Sequence, residues 1–192
     1  MPLSQPDLAK VKGREILVGV TGGIAAYKTA VLVSRLVQAQ ARVSVMMTDH
    51  AMRFVGPLTF QTLTGRPVHT DLWAPPETVH AEHIALADRA EAVIVAPATA
   101  NLIGKLASGI ADDLVSTVLL AVKAPLLLAP AMNVAMWQHP AVQANVETLR
   151  SRGVQMVGPE EGYLACGTEG PGRMAEPEAI LAEIVRALEG DV

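Results

Sequence analysis

Apolar residues along this chain come in short unbroken runs, separated by longer segments whose apolar positions recur every three or four residues. Glu15–Val20 (EILVGV) is the first run; it has strand length and stops at Thr21-Gly22-Gly23. From Ile24 to Gln40 the apolar positions Ile24, Val31, Leu32, Leu36 and Val37 fit one helical stripe better than an alternation. Arg42–Met47 (RVSVMM) returns to strand character, with a short helical stretch expected near Asp49–Val55. Ala92–Ala96 and Pro125–Ala129 read as two more buried strands with helical sequence between them. Val154–Val157 reads as the last strand and Pro177–Leu188 as a helix of good helix formers. Runs that are apolar throughout, rather than alternating, predict an α/β fold: a parallel sheet with helices on both faces, three layers in all. Two stretches resist assignment, Thr64–Ala81 and Gly158–Arg173. Loops of that length in a compact domain are usually functional or disordered.

Composition narrows the picture. The 192 residues suit one core, taken as a disordered lead-in over 1–13 and a single domain over 14–192. Half the chain is apolar and only 3% aromatic, so the core must be aliphatic. A net charge of −4, with no Lys/Arg cluster and no aromatic platform, argues against nucleic-acid binding. The single cysteine, Cys166, excludes an internal disulfide and a multi-cysteine metal site, and no histidine pair has metal-ligand spacing with a third partner. The N-terminus lacks an apolar signal core. The runs Leu114–Val122 and Ala124–Met132 fall short of the ~18–20 residues of a membrane span. The expectation is a soluble cytoplasmic protein with no metal.

Five places could carry chemistry. Thr21-Gly22-Gly23-Ile24 joins the first strand to its helix, where glycine permits close approach and free N–H groups attract phosphate. It is neither GxGxxG nor a Walker loop, and it reads equally as a tight turn. Thr48 after the second strand, and Thr99-Ala100-Asn101 after the third buried one, sit at the same carboxyl edge, where open α/β sheets bind ligands; helix caps explain them as well. His83 opens the run His-Ile-Ala-Leu-Ala and has the neutral pKa of a general acid or base. Cys166 lies in a glycine-rich stretch, Gly162 to Arg173, where an accessible thiol could deliver a proton or attack an electrophile.

These pieces, in this order, resemble the homo-oligomeric flavin-containing cysteine decarboxylases, over roughly Gly13 to Leu188. The Thr-Gly-Gly-Ile turn, Pro97-Ala98-Thr99-Ala100-Asn101 and Gly109-Ile110-Ala111-Asp112-Asp113-Leu114 look like the family's flavin-binding parts. Three features discriminate further. His83 matches the active-site histidine; Pro130-Ala131-Met132-Asn133-Val134-Ala135-Met136-Trp137 matches the PxMNxxMW motif; and Ala165-Cys166-Gly167 through Gly170-Pro171-Gly172-Arg173-Met174 matches the substrate flap of the pantothenoylcysteine-type enzymes of coenzyme A biosynthesis.

The resemblance implies a Rossmann- or flavodoxin-like domain that binds FMN through Gly22, Gly23, Ile24, Thr48, Thr99, Ala100 and Asn101. It implies decarboxylation of 4′-phosphopantothenoylcysteine to 4′-phosphopantetheine through a thioaldehyde and ene-thiolate. His83, Asn133 and Cys166 would be catalytic, with Asn133, Met132, Ala165, Gly167 and Arg173 holding substrate. Trimers or dodecamers, and a phosphopantothenate–cysteine ligase fused or separate, are implied as partners; the chain would be a free-standing decarboxylase or a fragment of a bifunctional protein. Flavin prenyltransferases, peptidyl-cysteine decarboxylases and a non-catalytic regulatory flavoprotein are the rival readings. The first lacks the asparagine motif and flap, the flap argues against the second, and the third carries acidic tails.

Overall fold

A computed structural model describes residues 9–74, 81–163, 167 and 169–190. Six parallel strands form one sheet: β1 (Glu15–Val20), β2 (Arg42–Met47), β3 (Val68–His69), β4 (Ala92–Ala98), β5 (Leu126–Pro130) and β6 (Gln155–Met156). Their order is β3-β2-β1-β4-β5-β6, so the winding direction reverses between β1 and β4. The connecting helices are α1 (Ala26–Gln38), α2 (Pro57–Thr64), α3 (Glu82–Arg89), α4 (Ala100–Ser108), α5 (Leu114–Ala121), α6 (Val134–Trp137) and α7 (Pro140–Ser151). An antiparallel hairpin, β7 (Glu160–Tyr163) with β8 (Glu169–Arg173), leads into α8 (Pro177–Glu189).

The unbroken apolar runs have a simple physical cause. Successive side chains of a strand point to opposite faces, and both faces of this sheet are covered. Ile16, Val18 and Val20 of β1, with Ile94 of β4 and Leu127 of β5, enter one core beneath α1 and α8, where Leu32, Leu36, Ile180 and Ile184 meet them. Leu17, Val93, Val95 and Leu128 enter a second core against Leu86, Leu102, Ile103, Val115, Val118 and Leu149 of α3, α4, α5 and α7. Each fully buried aliphatic chain contributes roughly 1.5–3 kcal/mol relative to exposure.

The structure refines several expectations. The stretch near Asp49–Val55 is a single 3-10 turn, Ala51–Arg53, too short to make helical hydrogen bonds beyond one turn. Thr64–Ala81 holds the two-residue strand β3, too brief to show a pattern in sequence. Gly158–Arg173 contains the β7–β8 hairpin, whose residues Glu-Glu-Gly-Tyr and Glu-Gly-Pro-Gly-Arg lack any apolar alternation. The lead-in expected over 1–13 has structure at its end. Residues 9–13 turn, Gly13 N donates to Gln40 O at 2.8 Å, and Val11 is fully buried in the first core. Among the described residues no helix is long and apolar enough to cross a membrane, and no group of three His, Cys, Asp or Glu could hold a metal ion.

Candidate active site

The carboxyl ends of β1 and β4 part at the point where the winding reverses, and the cleft opens there. Side chains hold it open. Pairing of β4 with β5 shifts register between Val95 and Ala98, which takes the Ala96–Pro97 carbonyls out of the regular ladder. Thr29 Oγ1 donates to Ala96 O at 2.5 Å, and Thr21 Oγ1 donates to Pro97 O at 2.6 Å. Both threonines are buried, so each hydroxyl satisfies a carbonyl that water cannot reach. Thr99 N donates back to Thr21 Oγ1 at 3.2 Å, tying the β1 turn to the start of α4.

The turn itself needs glycine for space. A Cβ on Gly22 would stand 2.4 Å from His50 Cβ and 3.0 Å from its backbone carbon. Gly22 and Gly23 then run into α1, whose start at Ala25 has no side-chain cap. Gly23 N, Ala26 N and Lys28 N bond to Thr21 O, Gly23 O and Ala25 O, so what this end offers an anion is the positive pole of the helix and close approach at the glycines. Thr99 caps its helix as local sequence suggested, its Oγ1 accepting from Leu102 N at 3.4 Å; Thr48 does not stand at a cap position, since His50 precedes the 3-10 turn, but its Oγ1 accepts from Ala51 N at 3.2 Å. Both also line the cleft.

Lys105, also on the lining of the cleft, lies between Asp112 (2.6 Å) and Asp113 (2.9 Å). Burial works against the Lys105 charge, but its hydrogen bonds to the two carboxylates outweigh that and raise its pKa. Asp113 caps α5 in a reciprocal box with Ser116. Burial alone would raise its pKa; the Ser116 N–H and the Lys105 ammonium outweigh that and hold it below the usual carboxylate range.

Beyond Pro130 the chain turns at Asn133, whose side chain accepts from Ala135 N at 2.8 Å and caps α6. The hairpin docks on this segment. Met132 N donates to Gly172 O at 3.0 Å, and a Cβ on Gly172, at φ +142°, would fall 2.3 Å from Met132 O. Gly170 packs against a side chain instead, with Val134 Cγ2 3.1 Å from where its Cβ would be. Gly172 therefore lets two backbones touch; a general looseness would leave this space open.

The result is a cavity of about 1090 Å³. Its walls include Gly22, Gly23, Ile24, Thr48, Thr99, Ala100 and Asn101 from the strand ends. They also include Met132, Asn133 and Arg173 from the motif and hairpin. His83 is placed differently: it lies half-buried in the first turn of α3 and is not on this wall. Gly167 is exposed, at φ +83°, and also lies off the wall. Ala165 and Cys166 fall outside the described residues. Sequence patterning missed Lys105 and the pair Lys28–Glu176 at 2.8 Å, joined by Arg173, which bonds the same Glu176 oxygen. A surface-type Glu at a helix start gives no local signal of such a role.

A parallel sheet with a phosphate-type turn and an asparagine-capped wall defines a nucleotide-cofactor α/β protein. The Flavoprotein family matches residues 4–189, and the chain belongs to that family. It is 53% identical over 171 residues to the coenzyme A biosynthesis bifunctional protein CoaBC of Bacillus subtilis (strain 168), covering 89% of this chain and 42% of that protein. The corresponding protein of Haemophilus influenzae (strain ATCC 51907 / DSM 11121 / KW20 / Rd) is 47% identical over 175 residues, covering 91% of this chain and 44% of that protein. The chain thus spans less than half the length of these curated relatives. Among solved structures, the FMN-dependent cysteine decarboxylase SpaF superposes with a TM-score of 0.81 at 32% identity, over 94% of this chain and 99% of that one. A cysteine-to-serine variant of PPC decarboxylase complexed with pantothenoylaminoethenethiol gives 0.81 at 29% identity, over 90% and 97%.

Proposed function

We propose that this chain binds FMN in the cleft and decarboxylates 4′-phosphopantothenoylcysteine to 4′-phosphopantetheine in coenzyme A biosynthesis, with residues 14–192 acting as one decarboxylase domain. The observation that carries this reading is the meeting of three parts at one cavity: the uncapped Gly22-Gly23 turn, the Asn133 segment and the hairpin seated on it through Gly172. The similarity to CoaBC proteins and to PPC decarboxylase supports the choice of substrate.

The residues fit the cofactor. The helix start beyond Gly22 and Gly23 suits a phosphate, and Thr48, Thr99, Ala100 and Asn101 would flank the rest. At about 1090 Å³ the cavity exceeds an ordinary ligand pocket, leaving room for a substrate beside the flavin. Bound FMN supplies a reversible two-electron acceptor, the chemistry that makes loss of CO2 from a cysteine accessible. Asn133, its side-chain oxygen fixed by Ala135 N, orients the substrate carboxylate with Met132 beside it. Arg173 faces the same space from the hairpin. Cys166, Ala165 and Gly167 enter by the flap motif alone, with the Cys166 thiol as proton donor to the product carbon.

His83 stands off this wall, and a homo-oligomer, a trimer or dodecamer, would bring it to a neighbouring copy's cleft. Ile84 beside it and Ile24 and Tyr27 at the cleft are large apolar side chains left exposed, as an association surface requires. A phosphopantothenate–cysteine ligase, fused or separate, is the partner that would supply this substrate. The test is direct. Flavin-loaded protein incubated with 4′-phosphopantothenoylcysteine should give, by mass spectrometry, a product lighter by CO2; an inert flavoprotein overturns the reading. His83→Asn and Asn133→Asp variants, each inactive alone, should recover activity when mixed and reassembled if the site spans two copies.

A further inference from the structure

Three charged side chains at the cleft are joined in a way that the reaction as described does not use. Lys28, in the first turn of α1, and Arg173, the last residue of β8, both line the cavity. They bond the same oxygen, Oε1 of Glu176, Lys28 at 2.8 Å. Glu176 is itself held. It is the N-cap residue of α8, where a helix start favours negative charge, and its N–H donates to Glu160 Oε1 at 3.4 Å. The Arg173 side chain lies over Gly162 across the hairpin, where an added Cβ would stand 3.3 Å from its Nη1. Glu176 therefore connects α1 and β8 through its carboxylate and β7 through its backbone N–H, from the start of α8. Its charged form is stabilised chiefly by the Lys28 hydrogen bond and then by Arg173, which lowers its pKa.

The lining of the cavity points to an anion. Lys28 and Arg173 are both on it, while Glu176 and Glu160, the carboxylates beside them, are not. Arg173 also follows directly on Gly172, the residue packed on Met132 and Asn133, so the paired cations stand at the asparagine end of the cavity. We propose that Glu176 is a positioning residue, holding the Lys28 ammonium and the Arg173 guanidinium side by side so that together they receive the substrate's carboxylate. The inference rests on the decarboxylase reading for its substrate. It adds two cations and their orienting acid to the role given to Asn133.

The sign of one measurement decides it. If Glu176 were a bystander, removing its negative charge would strengthen the pull on any anion and tighten binding. If it positions the cations, its removal frees two long side chains and weakens binding. Glu176→Gln in the flavin-loaded protein should raise the calorimetric Kd for 4′-phosphopantothenoylcysteine about tenfold, the scale of one lost charge-assisted contact. The Kd for 4′-phosphopantetheine, which has no carboxylate, should move by less than about twofold. Glu176→Asp, which restores the charge on a shorter arm, should recover part of the loss, and both variants should stay yellow. Tightened substrate binding, or equal weakening of substrate and product, overturns the assignment. Glu176→Gln protein that fails to fold is replaced by the Glu176→Asp measurement, where an unchanged ratio of the two Kd values overturns it equally. Wild-type protein that binds substrate but releases no CO2 overturns the decarboxylase reading alone; wild-type protein that binds neither molecule overturns both.

Discussion

The two ends of the same central strands are built on opposite plans. At the amino end of β1 and β4, charges close the edge. Glu91 accepts from Glu15 N at 2.8 Å and pairs with Arg14 at 2.5 Å, while Arg66 grips Glu15 through both oxygens at 2.8 and 3.2 Å. At the carboxyl end the helix α1 begins uncapped, glycines stand where a Cβ would collide, and threonine hydroxyls replace ladder bonds. One edge is finished by its own side chains; the other leaves a helix pole and close approach at glycines for a ligand. The difference teaches where substitutions should cost function and where they should cost only a little stability.

The sharpest way to break the contrast is Gly172→Ala. The added carbon would meet Met132 O at 2.3 Å, so hairpin and asparagine segment must separate. Turnover should fall about a hundredfold, the cost of misplacing reacting groups by an ångström, while circular dichroism keeps the native helix signal. Gly22→Ala comes next. It forces the His50 backbone away from the turn, and flavin affinity should drop on the order of tenfold, read as loss of yellow colour on gel filtration. Thr29→Val touches the cleft's support without touching the cleft. It strands the buried Ala96 carbonyl and should cost about 1–3 kcal/mol in urea unfolding, with flavin still bound.

Glu91→Gln, at the closed edge, should have the smallest effect. The Glu15 N–H chiefly, with Arg14 and Arg42, outweighs the opposing effect of burial and lowers its pKa. A depressed carboxylate pKa gives stability that is present above the unfolded value and lost as pH falls through the folded one. The pair is more than a third exposed, so solvent screening limits its worth to below about 0.5 kcal/mol. Wild type should lose that small advantage on acidification, and the variant should show a flatter curve with activity intact. A large loss of activity from Glu91→Gln would end the comparison between the two edges.

Much of the molecule was legible in advance because a sheet covered on both faces writes an unmistakable apolar run at each central strand. β1, β2, β4 and β5 carry such runs, while the glycine turn after β1 read equally as a tight turn or a phosphate site until the cleft was seen to open there. The edge strands β3 and β6, of two residues each, carry too few positions for a period. The hairpin was unreadable for another reason: it is polar and glycine-rich and packs backbone on backbone at Gly172, whereas periodicity reports only side-chain burial. Resemblance flagged its residues, but not why Gly172 stands there.

By itself the sequence determined the layered parallel fold, the edge of the sheet where the cleft opens and the residue types offered there, since these follow from local patterns and chain order. Only the tertiary structure decided that Asn133 meets the hairpin, that His83 stands off the wall of its own cleft, and that Glu176, 148 residues from Lys28, joins that lysine to Arg173. Contacts of that kind depend on where distant segments come to rest, and no local pattern of hydrophobic and polar residues encodes that distance.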